Sequence, residues 1–214
     1  MSRVIALACV ASLSGVASGQ SFNIDFSVRE GVPPSTFGAP AGQPGVWNGL
    51  SVDTQSGPFA LVDLAGDPIA TTLDASEWEF DVAPSGSSET GPAAPLLNDY
   101  AASSSNDATI GLTGLQDGLY EIYSVVNFGA DFGTPTVRIN GDERVVGGEV
   151  NIGLIEGRSY ARHSTTVTGG TLDIEFLGTN DAVVNGIQVV LVPGPGAAVA
   201  APLGLAALTL RRRR

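Results

Sequence analysis

Leu172-Asp173-Ile174-Glu175-Phe176 alternates three apolar side chains with two acids. Successive side chains of a strand point to opposite faces, so the three apolar residues share one face and the acids the other. This reads as an outer strand with one wet side. The run from Leu119 to Val126 reads differently. Tyr120, Ile122 and Val126 share one face, and Leu119, Tyr123 and Val125 share the other. Both faces are apolar, which predicts a central strand covered on both sides.

Further runs of β-branched and aromatic residues extend the pattern outward. Strands are expected at 22–28, 45–52, 59–64, 76–82, 108–112, 119–127, 136–140, 158–168, 171–177 and 186–191. Asn140-Gly141-Asp142, Gly169-Gly170 and Asn185-Gly186 are turn signals between them. One helical turn is expected near Pro95–Ala101. No helical periodicity runs for a useful length, and the 28 glycines and 13 prolines suit many short strands. The fold class is all-β, a single β-sandwich of the jelly-roll kind over residues 20–191. The loops 31–45 and 83–95 have the composition of rims on which a ligand site could sit.

Charge narrows the partners. The chain has no lysine. Between the two ends, five arginines stand against all 22 acids, a net charge of −17. Such a surface repels phosphate backbones, so nucleic acid is not an expected partner. The single cysteine, Cys9, lies in the N-terminal apolar run, so the domain is expected to lack disulfides and thiolate chemistry.

The two ends read as addresses. Residues 1–19 carry Arg3, an apolar run and the small exit residues Ala17 and Gly19. That order predicts a helical signal peptide cut by signal peptidase before Gln20. Residues 192–214 hold Pro193-Gly194-Pro195, a small apolar stretch and the cluster Arg211, Arg212, Arg213 and Arg214. The stretch from Gly196 to Leu210 would make a helix of roughly 22 Å, short of a hydrocarbon core of about 30 Å. It predicts weak or transient membrane anchoring, with the arginines on the cytoplasmic side.

The tail resembles the PEP-CTERM sorting signal of exosortase-processed bacterial surface proteins, in the variant seen in planctomycete-type tails. Gly194 stands where the signature has glutamate. The resemblance implies an exported, cell-surface or extracellular protein and a sorting enzyme as a transient partner. A second resemblance rests on four blocks: Leu115-Gln116-Asp117-Gly118-Leu119-Tyr120-Glu121-Ile122-Tyr123, Val137-Arg138-Ile139-Asn140-Gly141, Gly170-Thr171-Leu172-Asp173-Ile174 and Asn185-Gly186-Ile187-Gln188-Val189. These look like galactose-binding-like and carbohydrate-binding-module jelly rolls. The resemblance implies the fold, extracellular polysaccharide as a partner, and a structural calcium as the one ion to expect. No other cofactor is expected.

Candidate residues follow from the chemistry. Sugar rings pack on flat aromatic faces while amides and carboxylates bond their hydroxyls. Trp47 with Asn48, Trp78 and Tyr160 are the candidates for ligand binding. Asn180 and Asp181 are the candidates for calcium, a cation that takes hard oxygen ligands; Asn140 to Glu143 and Asn127 to Asp131 are further stretches of that type. Glu77 and Glu79 flank Trp78 and would share a strand face, the arrangement a glycoside hydrolase would need. His163 is the only histidine, with no nucleophile elbow beside it. No catalytic residue is assigned. The expected function is a non-catalytic surface module that binds carbohydrate. A structural or adhesive surface protein is the alternative, and a polysaccharide-active enzyme the third.

Overall fold

The computed structural model describes residues 20–54, 57–128, 135–178 and 180–194. The expected signal and tail helices lie outside the described residues, as do Ala17, Gly19, Pro195 and Arg211 to Arg214. No helix of the described residues is long and apolar enough to cross a membrane.

The first half holds strands β1 (Phe22–Phe26), β2 (Trp47–Leu50), β3 (Phe59–Val62), β4 (Pro68–Asp74), β5 (Phe80–Val82) and β6 (Tyr100–Ser103). A short helix, α1 (Ala94–Leu97), precedes β6. The second half holds β7 (Asp107–Thr113), β8 (Gly118–Val125), β9 (Thr136–Ile139), β10 (Asp142–Val145) and β11 (Tyr160–Val167). It closes with β12 (Thr171–Leu177), β13 (Ala182–Val184) and β14 (Gly186–Val192). The all-β expectation holds.

Two sheets form the sandwich. One has the order β11-β8-β14-β1-β2, the other β10-β9-β12-β7-β4-β3, and a small sheet β13-β6-β5 adjoins them. The facing sides bury a continuous core that includes Phe22, Ile24, Phe26, Tyr120, Ile122, Leu172, Ile174 and Phe176. Trp78 sits inside it, edge-on to Phe176 at 5.3 Å and tilted against Phe26 at 6.4 Å. Aromatic pairs in these geometries add to the area they bury.

Alternation in β12 is as read: Leu172, Ile174 and Phe176 are buried while Thr171 and Asp173 are exposed. The strand is not at the sheet's edge, however; it pairs with both β7 and β9. β8 is central, between β11 and β14. Both its faces are covered from Ile122 to Val125, while Leu119 at its start is exposed.

The β9–β10 hairpin shows how local chemistry sets register. Ile139 pairs with Asp142 across the two-residue loop Asn140-Gly141. Both loop residues have positive φ, 50° and 82°, as a type I′ turn requires. β10 itself, Asp-Glu-Arg-Val, is wholly exposed and has no strand signal of its own. β4 opens on Pro68, a residue tolerated at the first position of a strand. The expected strand 76–82 shortens to β5 because a turn closes at Trp78, whose N–H donates to the Ala75 carbonyl.

Candidate functional site

The outer face of the five-stranded sheet can be read row by row from its register. One row runs Arg162, Tyr123, Gln188, Asn23, Trp47 across β11, β8, β14, β1 and β2. The next runs Tyr160, Val125, Gly186, Asp25, Gly49. Three segments cover most of this face: 31–45, 83–99 and the stretch before β11. They do not stand off as rims. Gln43 is buried and donates to Asn23 and to the Val189 carbonyl. Ser85 is buried and donates to the Leu97 carbonyl.

Packing on the two sides of this sheet corrects three of the ligand-binding candidates. Trp47 is buried, stacks on Phe37 at 5.9 Å, and donates its indole N–H to the Phe37 carbonyl. It belongs to a second apolar cluster with Leu96, Leu97 and Val125. Trp78 is in the main core and donates to the Thr109 carbonyl. The Asn48 amide is committed to backbone, donating to Asn23 and Val62 carbonyls and accepting the Val62 N–H. It stitches β2 of one sheet to β3 of the other. Indole faces and amide groups already packed and paired cannot receive a sugar.

Tyr160 is placed differently. It is half-buried, next to Tyr123 with ring centroids 6.1 Å apart. The Arg162 guanidinium lies over the Tyr123 ring at 5.7 Å, a cation–π geometry. Arg162 also grips Glu121 with its Nε and Nη2 donors at 2.7–3.0 Å. That ion pair lowers the Glu121 pKa and raises that of Arg162. The Tyr123 hydroxyl donates to the same carboxylate at 2.8 Å. Its pKa is pushed up to about 12, first by burial and then by Glu121.

Beside this cluster lies an open groove of about 370 Å³ between β10 and β11. Glu143, Arg144, Val145, Glu156 and Arg162 line it. Its volume falls within the range of about 300–1,000 Å³ of small-molecule sites. Arg144 donates to Asp142 at 2.9 Å, and each guanidinium has five N–H donors, more than its carboxylate partner takes up. Sequence reading passed over Arg144 and Arg162. The scarcity of arginine was the available signal: two of the domain's five line one groove.

The remaining candidates separate. Glu77 accepts the Thr109 N–H while Glu79 accepts the Ser104 hydroxyl, so the two acids do not pair. Glu77 instead joins Asp74 and Asp173 at a shallow depression of about 180 Å³ on the other sheet. Asn180 is exposed and Asp181 half-buried between β12 and β13. No group of three or more histidine, cysteine, aspartate or glutamate side chains gathers for a metal among the described residues.

His163 is buried in β11, its Nε2 3.2 Å from the Asp142 carbonyl. Burial lowers its pKa from the ordinary 6.5, against the pull of Asp142. The unfolded chain therefore takes up a proton at a higher pH than the folded one, and stability falls as pH drops below about 6.5. His163→Asn removes this component. Melting both proteins from pH 7.5 to 5 should show the wild type losing stability relative to the variant, by up to about 1.4 kcal/mol per pH unit.

No protein-family model matches the sequence, and no curated protein matches it. Solved structures do share the fold. A Bacteroides uniformis β-glucuronidase superposes with a TM-score of 0.50 at 14% identity, covering 81% of this chain and 18% of that one. A Bacteroides uniformis β-glucuronidase 2, covalently bound to cyclophellitol-6-carboxylate aziridine, gives the same score and identity over 82% of this chain. The chain thus spans about a fifth of the length of the enzymes it matches. The likeness shows the fold alone: a β-rich sandwich that also occurs as one part of these longer chains.

Proposed function

We propose that this protein is an exported, non-catalytic surface module of jelly-roll type that binds extracellular polysaccharide in the groove between β10 and β11. The observation that carries the reading is the groove itself, with Arg144 and Arg162 among its lining residues and the Tyr123–Tyr160 pair alongside. Planar guanidinium forks and carboxylates bond hydroxyls and acidic groups of a sugar, and a tyrosine ring offers a face to pack on. The matching parts of β-glucuronidases lend support, because the same sandwich accompanies sugar chemistry there. The address segments supply the export reading. Gln20, the first residue after the proposed signal, is buried and tied to Gly114 and Gln116.

The test is an array of bacterial and algal polysaccharides probed with the full chain. A specific hit is expected. Arg144→Ala and Tyr160→Ala should each weaken it about tenfold, the worth of one good contact of about 1.4 kcal/mol; the melting temperature should be nearly unchanged in Arg144→Ala and lowered in Tyr160→Ala, because Tyr160 also packs against the Trp47 cluster. Arg144 sits on the exposed strand β10, so its loss should not disturb the fold. The burial of both tryptophans favours a second reading, a structural surface protein with no small ligand. A blank array on folded protein would establish that reading in place of the first.

A further inference from the structure

The second row of the covered face holds an arrangement that the groove does not use. Asp25 points away from the main core, because Ile24 and Phe26 on either side of it point inward. Its neighbours in the row are Gly186 and Gly49, which carry no side chains. Leu96 closes over Gly186, and a β-carbon there would come within 2.4 Å of its Cδ1. Val28 and Val32 close over Gly49 in the same way, at 2.8 and 2.7 Å. Asp25 is left at zero exposure beneath an apolar roof.

Neither carboxylate oxygen of Asp25 has a hydrogen-bond partner. The same is true of Asp99 Oδ1, Ser27 Oγ and Asn127 Oδ1, all on residues of zero exposure. The surrounding bonds draw these groups together. Asn185 donates to the Asp99 carbonyl and accepts the Asn127 N–H, each at 2.6 Å. Asn127 Nδ2 donates to the Leu97 carbonyl, which turns its Oδ1 the other way. Asp99 Oδ2 takes the Glu30 N–H at 2.9 Å, leaving Oδ1 open. Ser27 and Asp25 both lie close enough to Asp99 to feel its charge or its hydrogen-bonding oxygens.

Five unpartnered oxygens from four buried residues are a large departure from the rule that buried polar groups are paired. Asp25 feels the charge of Asp99, and Arg29, the arginine nearest to Asp25 in sequence, turns outward to Asp53. A single proton shared between Asp25 and Asp99 would pair at most two of the five oxygens and leave three open. A divalent cation meets both needs, balancing two negative charges and taking every open oxygen as a ligand.

We propose that Asp25, Ser27, Asp99 and Asn127 hold a divalent cation of the calcium class beneath α1. The donors are all oxygen, with carboxylate, amide and hydroxyl mixed, which suits calcium rather than zinc or copper. The site lies apart from Asn180-Asp181, and only two of its ligands are acids. It pins β1, the α1–β6 connection and the end of β8 to one ion, so it acts as a staple between the sheet and its cover.

Equilibrium dialysis of the chelator-stripped full chain against calcium, with elemental analysis, tests this. About one calcium per chain should bind. At calcium 100-fold above its dissociation constant the melting temperature should rise by roughly 5–10 °C, and magnesium at equal concentration should do much less. Asp25→Asn and Asp99→Asn should each abolish the bound ion and the shift, while Asp181→Asn keeps both. No bound calcium and no shift in the wild type would overturn the proposal and leave a shared proton as the answer. Loss of the ion in Asp181→Asn would equally overturn it. If the Asp25 and Asp99 variants do not fold, the wild-type stoichiometry and the Asp181→Asn result decide.

Discussion

Trp47→Ala is expected to cost about 3–5 kcal/mol of stability, as large aromatic truncations in cores do. For a domain of this size that lowers the melting temperature by roughly 10 °C or more. The reason is what the ring holds. Trp47 is the floor of the cover: Phe37 stacks on it, and Leu96 and Leu97 of α1 belong to the same cluster. Its indole N–H also fastens the 31–45 segment through the Phe37 carbonyl. Removal leaves a cavity and an unpaired carbonyl together. Circular dichroism melts of wild type and variant check the prediction. A change under about 1 kcal/mol would mean that Trp47 is a surface residue rather than a packing one.

Asn185→Ala is expected to be nearly as severe, at about 2–5 kcal/mol, for a different reason. Asn185 buries an amide that serves two elements at once, with the Asn127 N–H on one side and the Asp99 carbonyl on the other. Alanine opens little volume but orphans a buried donor and a buried acceptor, each costing about 1–3 kcal/mol. Measuring the melt in chelator separates this loss from any effect of bound calcium. Asn185→Asp keeps the acceptor for Asn127 but loses the donor to Asp99, so half of the loss at most should be recovered. A melt of Asn185→Ala unchanged from wild type would show that water reaches both groups.

These two residues also show where sequence reading succeeds and where it stops. β12 was legible because its acids and apolar residues alternate, and one face is wet. β8 was legible because both faces are apolar. β10 was not, since Asp142 to Val145 are strand only by virtue of the I′ turn at Asn140-Gly141 and the partner β9. β6 and β13 were missed because they are short and alanine-containing, each entered through an aspartate, and because Tyr100 and Ala101 of β6 fell in the expected helical turn, which ends at Leu97. Asn185-Gly186 was read as a turn, and it does join two strands. Its greater importance, a buried amide followed by a residue with no room for a β-carbon, depends on what packs above it. Trp47 followed the same logic in reverse. A tryptophan after Gln43-Pro44-Gly45 looks like a platform only until the 31–45 segment folds back across it. The groove residues Arg144 and Arg162 are 18 positions apart, and only the adjacency of β10 and β11 brings them to one place.

The pairing of β1 with β14 sets how the domain would respond to force. Phe22 lies opposite Val189, and the Leu191 N–H donates to the Ser21 hydroxyl. The two strands are antiparallel, so the domain's first and last residues leave from the same end of the same ladder. A pull between them would separate that ladder one rung at a time rather than loading all rungs together. The domain is therefore mechanically soft along the line joining its ends. Ends this close also make the fold a candidate for circular permutation by a short linker.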